Sequence, residues 1–500
     1  MRLARRARLA LPVLACALAA CGTGTGAAAP TPTASRASIP LARVAAARLL
    51  NWPEFGLNPQ RSDVSELSTG IKSANVGKLR RLTVTVPGTV DSSPVYVHAA
   101  SVAGGSHNIV VVTTTYGRTL AIDADSGRTL WQFNPPGLRG WLGSAQITTA
   151  SPILDPSGRF IYAASPNGAI HKLSVADGAE VQAGSWPVAI TRDPTREKLA
   201  AALNIDGRWL IAATGGYFGD APPYQGHVVL IDRSTGRIGA VFNTLCAGRR
   251  QIITPSSCPS SDSAILSRAG AVVEPGGGRI LISTGNGPWD GSRDFGDSVL
   301  ELTVPSLSLR QSFTPVNQSE LNAGDTDLGS SAPALLGSGR VLIAGKDGVM
   351  RVLDLARLDG AAPGQGHRLG GEVQRLAVPA GAQLFSAPAV WRHDGRTTVF
   401  IADEGATAAY VMRGGILYRA WQNSRSGTSP VMAGGLLYVY DQSAGVLDVY
   451  RPSSPDPTAT LHVRSGHWNS PVVADSHLVV PEGNGNDHSS SGTLDIFSAR

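Results

Sequence analysis

Ser93-Pro94-Val95-Tyr96, Asn108-Ile109-Val110-Val111-Val112-Thr113, Tyr116-Gly117, Thr119-Leu120-Ala121-Ile122-Asp123, Asp125-Ser126-Gly127 and Leu130-Trp131-Gln132-Phe133 follow one another along the chain and decide its fold. The pattern is a Ser-Pro opening, an apolar strand, a Gly turn, a second apolar strand ending in Asp, another Gly turn and a third strand. It returns from Ser151-Pro152, Trp209, Ala271, Ala332-Pro333, Ala387-Pro388, Ser429-Pro430 and Ser470-Pro471, which makes eight copies. Self-similarity at a period of roughly 40 to 60 residues marks a propeller or an array.

Composition agrees. The 500 residues include 58 Gly and 33 Pro, with 16% charged, which suits many short strands and dense turns better than helices. One three- or four-stranded unit cannot bury both of its faces, whereas units stacked around an axis bury them and leave only short edges. Eight units predict about 32 strands in one closed ring. The expected ring starts at Trp52-Pro53-Glu54-Phe55 through Val84, and Leu494-Asp495-Ile496-Phe497 closes it. Within the unit Ala121, Asp123, Gly127 and Trp131, Asp caps the turn, Gly takes a positive φ and Trp lies on the next blade.

The N-terminus reads as a processing signal. Arg2, Arg5, Arg6 and Arg8 precede the apolar stretch Leu9 to Ala20, which is short for a membrane span. Leu18-Ala19-Ala20-Cys21 resembles a bacterial lipobox, and Val13-Leu14-Ala15-Cys16 is a poorer second match. The resemblance implies cleavage before Cys21 and acylation of its thiol, with the protein exported and lipid-anchored at the extracytoplasmic face of the cell membrane; an ordinary secretory signal is the alternative. The expected organisation is a signal at 1–20, a Gly/Thr/Ala/Pro tether at 21–50 and a propeller at 51–500.

The whole chain is formally +6, but four arginines precede Cys21, leaving 39 basic against 37 acidic residues. That near-balance removes the case for a nucleic-acid partner, and a monomer is expected. After Cys21 only Cys246 and Cys258 remain, in one Gly/Ser/Pro-rich loop. Export permits a disulfide between them, worth about 3 kcal/mol in the chain-entropy model. Free thiols or a metal pair are the alternatives, and the lack of a nearby His disfavours zinc.

The repeat resembles the blades of pyrroloquinoline-quinone (PQQ) alcohol dehydrogenases and of the related lipoprotein of the outer-membrane β-barrel assembly machinery, over about residues 50 to 500. The resemblance implies an all-β, eight-bladed propeller of the quinoprotein alcohol dehydrogenase type. Thr284-Gly285-Asn286-Gly287-Pro288-Trp289 looks like the dehydrogenase loop whose Asn ligates calcium, with Trp289 beside the cofactor. Asp325-Thr326-Asp327-Leu328-Gly329-Ser330-Ser331 looks like the segment of the catalytic Asp. That role maps to Asp327, with Asp325 as second choice. Gly345-Lys346-Asp347-Gly348 looks like the turn whose basic residue, here Lys346, binds the quinone.

The chemistry suits these types. An ionised Asp takes a proton from an alcohol or sugar hydroxyl while calcium polarises the quinone carbonyl.

There are departures from that pattern. The stretch Gly215 to Asp220 has no Glu for calcium, and Asp220 is a substitute whose register is off. The stretch Ile265 to Gly270 has no aromatic to stack on the quinone, leaving Arg268 to stack or to pair with a carboxylate. No adjacent cysteines are present. Two readings follow: a quinoprotein dehydrogenase using PQQ and calcium, or a propeller without cofactor that binds envelope proteins as a scaffold. No C-x-x-C-H haem site is present, so electrons would leave to a separate carrier.

Other residues are weaker candidates. Asp220, Tyr224 and His227 belong to an insertion able to reach the channel. Asp290, Arg293, Asp294 and Asp297 form a cluster whose spacing does not fit an EF-hand loop. Asn484, Asn486, Asp487 and His488 are expected in solvent, and Arg351 and Asp354 are read as ordinary blade residues. Hydrolase motifs are absent.

Overall fold

Eight antiparallel four-stranded meanders account for nearly all regular structure in the computed structural model, which describes residues 50–362 and 364–499. The segment 1–20, nearly all of 21–50 and Cys21 lie outside the described residues. Blades 1 to 7 span 95–133, 153–189, 204–243, 272–313, 334–377, 389–422 and 431–462. Blade 8 combines Val472–Ala474, His477–Pro481 and Gly492–Ser498 with a strand from the other end of the chain, Arg80–Val86. That strand pairs antiparallel with Gly492–Ser498 from Arg80↔Ser498 to Val86↔Gly492, and so closes the ring. Ring closure by a strand from the opposite terminus is as the sequence predicts.

The core lies between blades. Val95, Val97, Ile109, Val111 and Ala121 of blade 1 pack on Leu154, Ile161, Ala163 and Leu173 of blade 2, all buried. Each Val, Ile or Leu among them contributes about 1.5–3 kcal/mol through burial. The Asp–Gly–Trp pattern works as expected. Asp123 Oδ1 accepts from the Ser126 N–H and hydroxyl, both at 2.7 Å, and Gly127 has φ +73°. Trp131 crosses to blade 2, where its indole N–H donates to the Val175 carbonyl at 2.8 Å. The Ser of the Ser-Pro opening also links blades: Ser151 Oγ accepts from the Ser93 N–H at 2.8 Å, and Ser429 Oγ from the Ala387 N–H at 2.9 Å.

Of the stretch Trp52 through Val84 expected to begin the ring, Arg80–Val86 does so in blade 8, whereas the part from Trp52 to Ser65 does not start a blade. Residues 52–65 run across the innermost strands instead. The Pro53 carbonyl accepts from Leu154, Pro59 from Val273, Ser62 from Val390 and Asp63 from Met432. Val64–Ser65 then pairs in parallel with Val431–Ala433. The physical reason is the unpaired backbone of those innermost strands, which this segment satisfies. A buried ion pair, Arg61–Glu54 at 2.8 Å, stiffens it, and Arg61 also donates to the Phe55 and Leu203 carbonyls.

Trp131→Ala should cost about 3–5 kcal/mol, the usual range for emptying a buried aromatic site. Urea unfolding followed by far-UV circular dichroism measures it, and a loss below about 1 kcal/mol would mean that blade 2 does not depend on this contact.

Candidate functional site

One register position organises the centre of the ring. The fourth residue before each innermost strand is Asp91, Thr149, Ala200, Arg268, Ser330, Phe385, Gly427 and Trp468 in blades 1 to 8 in turn. Five of these eight, Thr149, Ala200, Arg268, Phe385 and Trp468, line one cavity of about 310 Å³. Asp91 is tied to a sixth contact there: Arg268 Nη2 meets Asp91 Oδ1 at 3.0 Å, and Arg268 Nη1 donates to the Asp91 carbonyl at 2.7 Å. His467 Nδ1 lies 2.8 Å from Asp91 Oδ2, which also accepts from the Gly485 N–H at 3.0 Å. Burial raises the Asp91 carboxyl, but Arg268 and His467 outweigh it and hold the group well below the ordinary carboxylate range.

Aromatic faces form one wall. Trp468 stacks on Phe385 with centroids 4.3 Å apart and on His467 at 3.8 Å, and the Arg268 guanidinium sits 5.4 Å from the Trp468 ring. The aromatic surface missing around Arg268 in the sequence is therefore supplied by a residue 200 positions later in the chain.

Opposite lies an acid–ammonium couple. Asp327 Oδ2 is 2.5 Å from Lys346 Nζ, and Lys346 also contacts Asp325 Oδ1 at 3.1 Å. Asp327 Oδ1 accepts the Asn286 backbone N–H at 2.7 Å. The loops close on Asp327 because Gly285 and Gly345 carry no side chain: a Cβ on either would lie 2.3 Å from an Asp327 oxygen. Burial pushes the Asp327 carboxyl up, opposed by Lys346. Burial would lower the Lys346 ammonium, but Asp327 and Asp325 hold it above its ordinary value.

Lys198 also lines the cavity, on a two-stranded piece pairing Glu197–Lys198 with Gly215–Gly216. The Leu199 carbonyl accepts from Thr149 N–H and Thr148 Oγ1, which pins this segment to blade 2. Burial, aided by the Arg268 charge and opposed by Asp91, pulls the amine down to about 7.

The structure thus brings Asp327, Lys346, Arg268, Asp220 and Asp325 to one cavity. Asn286 contributes its backbone there, and its side chain is not part of the lining. Trp289 lies off the cavity, against Gly291 and in a bridge with Phe295, because its loop folds back on itself. Of the insertion residues only Asp220 reaches the lining, accepting from Tyr224 Oη at 2.9 Å. His227 is buried between Glu197 at 2.9 Å and Asn243 at 2.6 Å. The acids after Trp289 diverge: Asp290 caps its own turn through three backbone N–H groups, Asp294 accepts from the Cys246 N–H, and Asp297 turns inward.

The last loop is less exposed than expected. Asn486 lines the cavity, and the His488 carbonyl accepts from Tyr116 Oη at 3.0 Å. Arg351 is fully buried against Asp347 at 2.5 Å, a blade contact. Cys246 and Cys258 form a disulfide, S–S 2.04 Å. They are also members of the one group of metal-capable side chains among the described residues, with Asp294. Their bonding to each other removes them as thiolate ligands.

Sequence reasoning missed Lys198, Asp91, Phe385, His467 and Trp468. For Asp91, Phe385 and Trp468 the signal was present, three residues before the Pro of each Ser-Pro or Ala-Pro opening.

Residues 81–239 match the family model described as outer membrane protein assembly factor BamB. Among solved structures, the quinohemoprotein alcohol dehydrogenase of Comamonas testosteroni is 16% identical, with 93% of this chain and 83% of that one covered and a TM-score of 0.64. A europium-containing methanol dehydrogenase is 14% identical, covering 90% and 98%, with a TM-score of 0.64. BamB from Moraxella catarrhalis is 14% identical, covering 84% and 100%, with a TM-score of 0.53. No curated protein matches significantly. The chain is an eight-bladed propeller with the fold of the quinoprotein alcohol dehydrogenases. It carries the BamB-like repeat over residues 81–239.

Two outcomes follow from the electrostatics. Arg268→Ala should cost about 3–5 kcal/mol in urea unfolding, because it strands the buried Asp91 carboxylate. Asp297, pushed up to about 8 by burial with Asp327 adding and the Leu328 N–H opposing, keeps its proton in the folded chain where the unfolded chain has lost it. The Asp297 contribution to stability therefore falls as pH rises from about 4 towards 8. Asp297→Asn imitates the protonated acid, so its stability relative to wild type should climb across that window; urea midpoints at pH 5, 7 and 9 check this, and a flat difference would mean Asp297 is already ionised.

Proposed function

We propose that this propeller binds a planar quinone of the PQQ type at the mouth of its channel and serves alcohol or sugar oxidation. The carrying observation is that the Asp327–Lys346 couple and the Trp468–Arg268 contact line a single cavity. The ring of a quinone suits the Trp468 face. Arg268 and Lys346 offer N–H donors to carbonyl or carboxylate oxygens. A bound quinone supplies a carbonyl that accepts hydride. For the chain itself, Asp327 offers a carboxyl oxygen at the cavity, and Lys346 orients that group and opposes the upward push of burial on it. Arg268 and Trp468 position the ligand, and Phe385 excludes water behind Trp468.

Calcium does not fit this donor set as it stands. The cation takes 6–8 oxygens, yet Asp327 has one oxygen engaged by Lys346 and the other by the Asn286 N–H. The Asn286 amide is outside the lining, and no step is assigned to a metal.

Export and a lipid anchor on Cys21 belong to the same proposal, supported by the lipobox-like Leu18-Ala19-Ala20-Cys21 and by the Cys246–Cys258 disulfide, a bond of oxidising compartments. A second reading is a protein-binding scaffold. It is favoured by Phe218, an 87% exposed aromatic at the rim of the same cavity.

Titration of the purified protein with PQQ, with and without a calcium chelator, tests the proposal through quinone absorbance and Trp fluorescence. Saturable binding insensitive to the chelator is expected, weakened about fivefold by Trp468→Ala, for a stacking loss near 1 kcal/mol. Absence of binding would overturn the quinone reading. Crosslinking through position 218 would then probe the scaffold.

A further inference from the structure

The chain has only five lysines among its 43 basic residues. Where charge alone is needed it uses arginine, yet two of the five lysines line one cavity. They are in opposite states. Lys346 is an ordinary paired cation, held by Asp327 and Asp325. Lys198 is 8% exposed, and its Nζ makes no ion pair or hydrogen bond among the described residues. Its dominant charged neighbour is a cation, Arg268, whose own charge is already matched by Asp91.

A buried ammonium without a partner is expensive, so such a group sheds its proton. The pull of its pKa down to about 7 agrees with that geometry. The charged and titratable groups around it are Arg268, Asp91 and His467, with Asp220, Asp327 and Lys346 across the cavity. A neutral amine facing an accessible cavity is a nucleophile; arginine could not replace it, because a guanidinium stays protonated.

We propose that Lys198 captures a carbonyl, so that the cavity takes a small aldehyde and holds it covalently as an imine. The Nζ lone pair forms a bond to the carbonyl carbon while the C=O π pair moves to oxygen, which takes up a proton. The resulting carbinolamine loses that oxygen as water and leaves a C=N bond. One water departs, nothing is oxidised or reduced, and hydrolysis reverses the step. This proposal uses the same cavity as the quinone reading and does not rest on it.

The test omits quinone. The purified protein is treated with propanal and sodium cyanoborohydride at pH 7, and propylated lysines are mapped by peptide mass. The exposed Lys72 and Lys78 serve as internal references. At pH 7 an exposed lysine is neutral in only about one molecule in a few thousand, so Lys198 should be modified more than tenfold faster, and its rate should saturate with propanal. Lys198→Arg should remove that fast label. Labelling of Lys198 no faster than Lys72 and Lys78 would overturn the reactive amine, and a rate rising linearly with propanal would overturn the binding site. Either result leaves the PQQ titration free to succeed or fail.

Discussion

Everything at the centre of this molecule depends on one pairing, that of Arg80–Val86 with Gly492–Ser498. Without it blade 8 would have three strands, and an open sheet edge would face solvent. With it the ring is closed, and the eight innermost strands are held at one radius from one axis. Closure turns a sequence register into a spatial one. Five of the eight residues four places before an innermost strand line the central cavity, and Asp91 and Trp468, 377 positions apart in number, share a contact with Arg268. The crossing segment 52–65 strengthens this by binding the backbones of six of those strands or their approaches.

The charges at the mouth are mostly spent on one another. Arg268 answers Asp91, and Lys346 answers Asp327 and Asp325. In a poorly solvated cavity such pairs cost a great deal to break and contribute little net field. Ligand choice at this site therefore depends on shape, on the flat Trp468 face and on directed N–H groups, more than on bulk attraction of anions. Lys198 is the exception, since no carboxylate is within ion-pair reach among the described residues. Its lack of a partner is what separates chemistry from structure in a cavity where every other cation is balanced.

Much of the fold was legible because its determinants are local. The strand runs, the Asp123–Gly127 turn and the Trp131 contact each lie within about a dozen residues, and repetition eight times over averages out the ambiguity of any one copy. The site was legible only in part. Asp327 and Lys346 are 19 positions apart on consecutive turns of one blade and its approach, so motif spacing carried them. Trp289 was misplaced because a Gly-rich loop can fold back as readily as it can reach inward. Asn286 was placed beside Asp327, but through its backbone rather than its amide. Lys198, Phe385 and the adjacent pair His467-Trp468 come from the approaches to three different blades, and no local pattern joins them; the eightfold register links only Phe385 and Trp468.

The same register explains why likeness of fold carries so little of the chemistry at 14–16% identity. A closed eight-bladed ring repeats one register position eight times around its axis, five of which line the cavity here, and the apolar strands that build the ring place little demand on those five. Function is therefore written in those positions and in the loops beside them. Here they hold an acid locked to a guanidinium, an aromatic stack, a second acid locked to an ammonium and, next to Ala200, a lone buried amine. Ser330 and Gly427 instead turn into the blades: Ser330 Oγ donates to the Leu384 carbonyl at 2.6 Å, and a Cβ on Gly427 would lie 2.2 Å from Val439, so the same register bounds the cavity on some blades and packs the core on others.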